Sequence, residues 1–405
     1  MIGLALFVYI RPEHTKKVLE SVKQNGFEKI YIFQDGLKHE KDRKQWETVS
    51  ELIKNVDFTE TEIHISQENK GLANSIISGM DYVFDRHETA IALEDDVILA
   101  DGYKHFMETC FEVYKDKDEV TSISGSGIGT LIPEDYPYDV YFCHRMSSIA
   151  FGTWKKYWDE FERDPYLLCE IMKNPKKKEM LAFAGRDIQN AVFSNLKCEA
   201  DTWAAYWCLY QVNHMSFQVT PSKAYAKDIG RDGTGTNTKS VTHKYDTELA
   251  GEVKQQFNLP VKVVLDQRIV EDVASIVHIP YMEDRFDYYF HLFGNWIEKL
   301  QEHKNISTYF TDRNITEIYI YGTGKAAGLL TNEIGKKLNI CGYIVQLKNE
   351  ESFMGKQVWD MQDEFALKSI PIVITPAYDI IYISHLFRKK EITNELIMLD
   401  DVLKN

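Results

Sequence analysis

The sequence predicts an α/β protein, a mostly parallel sheet domain followed by a small Rossmann-like α/β domain, and three observations predict it. Continuous apolar runs alternate with helical periodicity from the first residue, the pattern of a parallel sheet covered on both faces. Four such β-α steps fit within the first 96 residues, which indicates an open sheet whose ligand crevice lies at the carboxyl ends of its strands. A second series starts near residue 306 and contains Gly322-Thr323-Gly324-Lys325-Ala326-Ala327-Gly328 between a strand and a helix. At roughly 150 residues per domain, 405 residues suggest two or three domains.

Taken in order, Ile2 to Tyr9 reads as a buried strand. Pro12 then suits a first helical position, Val18, Leu19 and Val22 share a face, and Gly26 supplies the stop. KIYIF is the second strand and ends at Gln34-Asp35-Gly36; Trp46, Val49, Leu52 and Ile53 mark the next helix, and EIHIS the third strand. After Gly71 a helix turns Ala73, Ile76, Ile77, Met80 and Phe84 inward, and AIALE leads into Asp95-Asp96. From about Val120 to Thr242 the pattern loosens into a strand VTSIS, an extended YDVYFC, an aromatic helix around Trp154 and Trp158, and a helix beginning near Asp201. KDIGRDGTGTNTK, residues 227–239, reads as a mobile loop. A helical stretch around 283–303 precedes EIYIY, CGYIV, PIVIT and IIYIS, the runs of the last unit. The expected boundaries are 1–250 for the first domain, with a nucleotide-binding half 1–125 and an acceptor half 126–250, then a helical linker 251–305 and an accessory domain 306–405.

Composition narrows the function. The net charge of −15 opposes nucleic acid or an anionic bilayer unless charge is locally segregated. The six cysteines show no metal or staple spacing and are expected as reduced thiols. The opening MIGLALFVYI lacks a basic leader and a cleavage site, and no apolar run reaches about 18 residues. A cytoplasmic protein without a transmembrane segment, at most peripheral to the inner membrane face, is the expectation. The aromatics of 280–300 fit inter-domain packing better than a lipid surface, with a homodimer contact as the other reading.

The sharpest feature is Leu93-Glu94-Asp95-Asp96-Val97 at a strand end. Along a strand Glu94 and Asp96 project to one side and Asp95 to the other, so three carboxylates crowd one terminus without a basic neighbour. Hard oxygen ligands suit Mg²⁺ or Mn²⁺, which take one or two carboxylates plus substrate phosphates. The plainer reading is a solvated acidic turn. Arg11, Asp35 and Asn69-Lys70-Gly71 follow the first three strands at corresponding places.

FVYIRPEHTKKVLESV, FQDG, ENKGLANSIISG and LEDDV, in that order, resemble the nucleotide-binding half of GT-A-fold glycosyltransferases. The resemblance is to bacterial sugar transferases similar to the animal N-acetylglucosaminyltransferase that initiates complex N-glycans. It covers roughly residues 1–245 and is best over the first 125. The resemblance implies that Arg11 contacts the donor diphosphate, Asp35 the uracil ring, and Asn69 and Lys70 the nucleoside. It further implies Asp96 as metal ligand, Asp95 at the ribose and Glu94 at the donor sugar. Transfer to a hydroxyl demands a base; inverting enzymes of this fold place it at a helix start in the second half. Asp201 fits, and would also cap its own helix, with Glu199 as rival; Thr202 departs from the family pattern by separating Asp201 from Trp203. Trp154, Trp158, Trp203, Tyr206 and Trp207 suit sugar stacking or core, more simply core. Arg231, Thr234 and Thr236 are candidates to close over the diphosphate. Asn237 stands where some relatives use a histidine ligand, with His243 six residues on; His144 and His214 read as structural.

The glycine-rich turn of the last domain has a dinucleotide-site context, yet its second strand ends in Gln346-Leu347-Lys348 without the acid that holds an NAD ribose. It suits another phosphate ligand, packing or dimerisation. The function expected is therefore a metal-dependent inverting glycosyltransferase using Mn²⁺ or Mg²⁺ and a nucleotide-sugar donor, UDP-linked by resemblance. Its acceptor would be a glycan or lipid-linked saccharide in bacterial surface polysaccharide assembly. The alternatives are a sugar-phosphate nucleotidyltransferase, an NAD-dependent oxidoreductase and a silent glycan-binding module.

Overall fold

The computed structural model describes residues 1–185, 187–198, 200–232, 247–277, 282–302, 305–361, 369–376 and 380–404. The chain forms two compact units, Met1–Val277 and His278–Asn405.

The first unit opens with β1 (Gly3–Val8), α1 (Pro12–Asn25), β2 (Lys29–Gln34), α2 (Arg43–Lys54), β3 (Glu60–Ile65), α3 (Leu72–Phe84) and β4 (Thr89–Glu94). Every residue of β1 is buried, as a central parallel strand covered on both faces requires. Pro12 opens α1, and Gly26, at φ +63°, closes it in the left-handed conformation that glycine adopts without strain. The chain continues through β5 (Val97–Leu99), α4 (Tyr103–Tyr114), β6 (Val120–Ile123), β7 (Val140–Cys143), β8 (Phe151–Trp154) and the short α5 (Lys155–Trp158). Next come α6 (Tyr166–Lys173), α7 (Pro175–Ala184), α8 (Asp187–Leu196), α9 (Ala204–Asn213), β9 (Phe217–Pro221), β10 (Ala226–Asp228) and α10 (Gln267–Val277).

The main sheet has the order β3-β2-β1-β4-β8-β6-β9-β7. Its first four strands are parallel, β8 is antiparallel to both β4 and β6, and β7 is antiparallel to β9. This is a GT-A-like α/β arrangement, a parallel half continued by mixed strands. Leu4, Leu6, Ile30, Ile32, Ile91 and Leu93 form the centre of its core and are fully buried. Two local expectations change. Trp154 ends a strand, because its segment pairs with both β4 and β6 before the helix begins at Lys155. Lys227 and Asp228 belong to β10, which pairs antiparallel with β5, rather than to a loop.

The second unit contains α11 (Met282–Gln301), α12 (Thr308–Thr311), β11 (Glu317–Tyr321), α13 (Lys325–Ile334), β12 (Asn339–Val345), β13 (Ser352–Phe353) and β14 (Lys356–Asp360). It ends with β15 (Ile372–Ile374), α14 (Ile380–Lys389), β16 (Leu396–Met398) and α15 (Leu399–Lys404). The sheet order is β13-β14-β12-β11-β15-β16, parallel except for β13. This is a Rossmann-like sheet. IIYIS is helical here, not a strand: Ile383 and Phe387 bury one face at a spacing of four, and Leu396–Met398 supplies the last strand instead. Leu292 and Trp296 of α11 pack with Ala327 and Leu330 of α13. Among the described residues no helix is long and apolar enough to cross a membrane.

Candidate active site

The ends of β1 to β4 bring together the residues expected there. The amide of Tyr9, just after β1, donates to Asp95 Oδ2 at 3.0 Å, which fixes the acidic turn against the end of β1. Arg11 Nη1 meets Asp96 Oδ2 at 2.5 Å, and Arg11 Nη2 donates to the Gly230 carbonyl at 3.1 Å. Because β10 is zipped to β5 with Asp228 opposite Val97, and the Ile229 amide donates to the Asp96 carbonyl at 2.8 Å, residues 228–232 lie over the acidic turn. Gly230 permits this approach: a Cβ there would fall 2.0 Å from Asp96 Oδ2.

Burial and mutual repulsion raise the acidities. Desolvation, then the charges of Asp96, Asp95 and Asp228, pushes Glu94 up to about 8. Desolvation and Asp96 push Asp95 up to about 7. Asp96 is raised by desolvation and by Asp228, against the attraction of Arg11. Among the described residues five carboxylates, Glu94, Asp95, Asp96, Asp228 and Asp232, thus gather around two guanidiniums, with Arg11 between Asp96 and Asp232 and Arg231 on Asp228. Three participants of this cluster were not singled out in the sequence. Asp228 and Asp232 fell inside a segment read as loop, and His14 stood unremarked one turn after Arg11, at i+3; His14 Nε2 now lies 3.2 Å from Asp232 Oδ2.

Asp35 is placed differently from what the resemblance implies. Its Oδ1 accepts from the amides of Gly36 and Lys70, both at 2.9 Å, and its Oδ2 from Asn69 Nδ2 at 2.9 Å and the Gly71 amide at 3.0 Å. Four accepted bonds occupy about all the lone-pair directions of a carboxylate. In this conformation Asp35 holds the 69–71 turn and presents no spare acceptor to a base. Beside it a cavity of about 460 Å³ opens at the ends of β2 and β3, lined by Leu37, Lys38, Arg43, Trp46, Ile65 and Ser66 among others. Trp46, one of the residues that mark α2, is half-buried there, its indole nitrogen donating to the Asp35 carbonyl at 2.7 Å.

Asp201 does not cap its own helix: Thr202 Oγ1 accepts from the Ala205 amide at 3.4 Å instead. Asp201 Oδ2 accepts from the Ala73 amide at 3.1 Å, so it caps α3 from 128 positions away, and Oδ1 accepts from Arg163 Nη2 at 3.1 Å. Gly71, at φ +80°, leaves room for it, since a Cβ there would lie 2.8 Å from Asp201 Oδ2. The structure thus joins Asp35, Asn69, Lys70, Gly71 and Asp201 at the start of α3. Trp154, Trp158, Trp203, Tyr206 and Trp207 are all buried, so they are core and not a stacking surface for sugars. His144 is buried, with burial lowering it to about 4, and His214 is exposed. Arg231 donates to Asp228 at 2.8 Å. Glu199, Thr234, Thr236, Asn237 and His243 lie outside the described residues.

A divalent cation fits the donor set. The oxygens are hard, half-buried and in excess of positive charge around Asp96, and Asp228 perturbs the same carboxylate. Among the described residues no three His, Cys, Asp or Glu side chains converge as a complete ligand cage. An ion here would take the rest of its shell from water and phosphate oxygens, as Mg²⁺ commonly does in nucleotide sites.

No family model matches the chain, and no curated protein matches it. Solved structures match in part. The mannosyltransferase PcManGT from Pyrobaculum calidifontis, in complex with GDP-Man and Mn²⁺, is 8% identical over 53% of this chain and 68% of that one, with TM-score 0.31. HddC from Yersinia pseudotuberculosis is 13% identical over 40% of this chain and 80% of that one, with TM-score 0.27. The 4-diphosphocytidyl-2C-methyl-D-erythritol synthase from Anaerococcus prevotii is 11% identical over 43% and 84%, with TM-score 0.26. At such values a likeness places no residue and assigns no chemistry.

Proposed function

We propose that the first unit is a metal-dependent glycosyltransferase that uses a nucleotide-diphosphate sugar. The observation that carries this reading is the half-buried carboxylate cluster at the end of β4, facing Arg11 at the crevice where an open α/β sheet binds its ligand. Asp96, with Asp228 beside it, would hold Mn²⁺ or Mg²⁺, and the ion when bound would neutralise charge on the leaving diphosphate. Arg11 supplies the protein's own cation for the same phosphates. Asp95, tied to Tyr9, faces the ribose, and Glu94 the donor sugar. Asn69, Lys70 and Trp46 bound the nucleoside end, with Asp35 as the positioning residue that holds their turn. In the transfer an acceptor hydroxyl oxygen bonds to the anomeric carbon, the bond from that carbon to the diphosphate oxygen breaks, and Asp201 takes the hydroxyl proton. UDP as nucleotide, inversion, and a glycan or lipid-linked saccharide acceptor in bacterial surface polysaccharide are what the family resemblance implies.

Thermal shift with UDP-, GDP-, CMP- and dTDP-sugars, with Mn²⁺ and again with EDTA, tests this. Expected is a metal-dependent shift with one nucleotide sugar, lost in Asp96→Ala while the fold is kept. A shift no larger with Mn²⁺ than in EDTA for every nucleotide sugar, or a metal-dependent increment retained in Asp96→Ala, overturns the reading. Release of pyrophosphate from a nucleoside triphosphate and a sugar phosphate would instead show a nucleotidyltransferase.

A further inference from the structure

The sheet of the second unit runs from β11 outward through β12 to β14, then returns to the other side of β11 for β15 and β16. The direction of winding therefore reverses between β11 and β15, and an open α/β sheet forms its ligand crevice at that point. A cavity of about 350 Å³ opens there, lined from three separate segments by Tyr289, Phe293, Gly322, Gly324, Lys325 and Thr375, with Ala326 and Pro376. This lies within the roughly 300–1,000 Å³ of small-molecule sites.

We propose that this cavity binds a pyrophosphate-bearing nucleotide, at a site separate from the acidic cluster of the first unit. Gly322, at φ +104°, makes the tight turn after β11, and a Cβ on it would meet Thr375 Oγ1 at 2.7 Å. Nothing lies within 4 Å of the place a Cβ would take on Gly324, so a phosphate can approach that backbone closely. Ala327 is fully buried and seats α13 on the sheet. Gly322, Gly324 and Ala327 thus fill the three positions of the G-x-G-x-x-A pattern, each for its own steric reason. The ten-residue α13 begins after Gly324 with no side-chain cap, leaving its first amides to an external acceptor. Lys325 is exposed at this mouth, and among the described residues no carboxylate pairs with it. Tyr289 and Phe293 stack with centroids 5.8 Å apart and rings 17° from parallel, which gives the cavity a flat aromatic wall suited to a base.

The ribose end is not that of an NAD site. Where an acid would end β12, the chain carries Gln346-Leu347-Lys348, and the adjacent Asp360 is buried with its Oδ2 accepting from the Lys348 amide at 2.5 Å. Recognition therefore rests on phosphate and base.

Isothermal titration of the full chain in EDTA with NADH, UDP-N-acetylglucosamine, ADP and inorganic pyrophosphate tests the proposal. Expected is binding of at least one of the nucleotides, competed by pyrophosphate, and the strongest of them identifies the source as dinucleotide, nucleotide sugar or mononucleotide. Gly324→Asp and Lys325→Glu, both exposed and checked by circular dichroism, should weaken it by about tenfold or more, the loss of one charge-assisted hydrogen bond. Asp96→Ala should leave it unchanged. No nucleotide binding in EDTA, or binding indifferent to both variants, overturns the proposal. Loss in Asp96→Ala also overturns it, because the ligand would then belong to the first unit. Failure of the transferase reading shows separately, as absence of the metal-dependent shift.

Discussion

At the scale of single residues, the site is organised by carboxylates that do different work. Asp201 Oδ2 caps α3 and Oδ1 meets Arg163, one bond to each oxygen, so lone pairs remain for a proton. Asp201→Asn keeps a good cap and removes the base, so it should spare donor binding and stability and lower the transfer rate by about 10² or more. Near-normal turnover in steady-state kinetics would move the role elsewhere, Glu199 first. Gly71→Ala is the contrasting case: its φ of +80° and the nearby Asp201 oxygen penalise any side chain. Urea unfolding should show a loss of at least about 1–2 kcal/mol; an unchanged midpoint would mean that the turn can be rebuilt. What the sequence made legible at this scale was position. Arg11, Asp35, Asn69 and Glu94 to Asp96 all stand at strand ends, as strand-end spacing implied. Their partners were not legible, because Asp35 bonding to Lys70 and Gly71, or Asp201 reaching Ala73, depends on which strands become neighbours.

Among elements, the decisive pairing is β10 on β5, three residues long, which lays Asp228 over the acidic turn. No periodicity reveals so short a strand, and the glycines and charges that follow it read as loop. In the second unit the helix Ile380–Lys389 departs from its expected strand for the opposite reason: a run of apolar residues fits a buried strand or a buried helix, and only Ile383 and Phe387 together decide it. The crowding at β4 has a consequence for stability. Glu94 and Asp95 are raised from 4.5 and 3.8 to about 8 and about 7, so the folded chain binds more protons than the unfolded one between these values. Their contribution is complete below the unfolded values and is lost as pH rises through the folded ones. His144, lowered to about 4, contributes fully above its ordinary value of about 6.5, so it leaves that upper range to the carboxylates. The melting temperature of the chain in EDTA should therefore fall between about pH 6.5 and 8.5, and Glu94→Gln should flatten the fall. A level profile in the parent protein would count against burial of the cluster.

For the whole molecule, two compact units with separate sheets divide at Val277 and His278. We propose that transfer belongs to the first and that the second is accessory. Gly324→Trp, which fills the mouth of the second unit's cavity, should leave transfer within about twofold of the parent, a change equivalent to less than half of RT ln 10. Complete loss in a folded variant would refute the division. The α/β class of both units was legible because alternating apolar runs and helical periods dictate it. The strand order was not, since the antiparallel insertion of β8 between β4 and β6 leaves no periodic mark.

The bond from Asp201 to the start of α3 has a practical corollary for protein engineering. Residues 1–125 resemble a detachable donor module, yet the cap of one of their own helices is encoded 128 positions later. A chimera that joins this half to a foreign second half inherits an uncapped helix directly after its 69–71 turn unless the graft restores a carboxylate at the place of Asp201. The workable crossover therefore lies after the helix that follows Asp201, beyond Asn213, and not at the seam between the two halves.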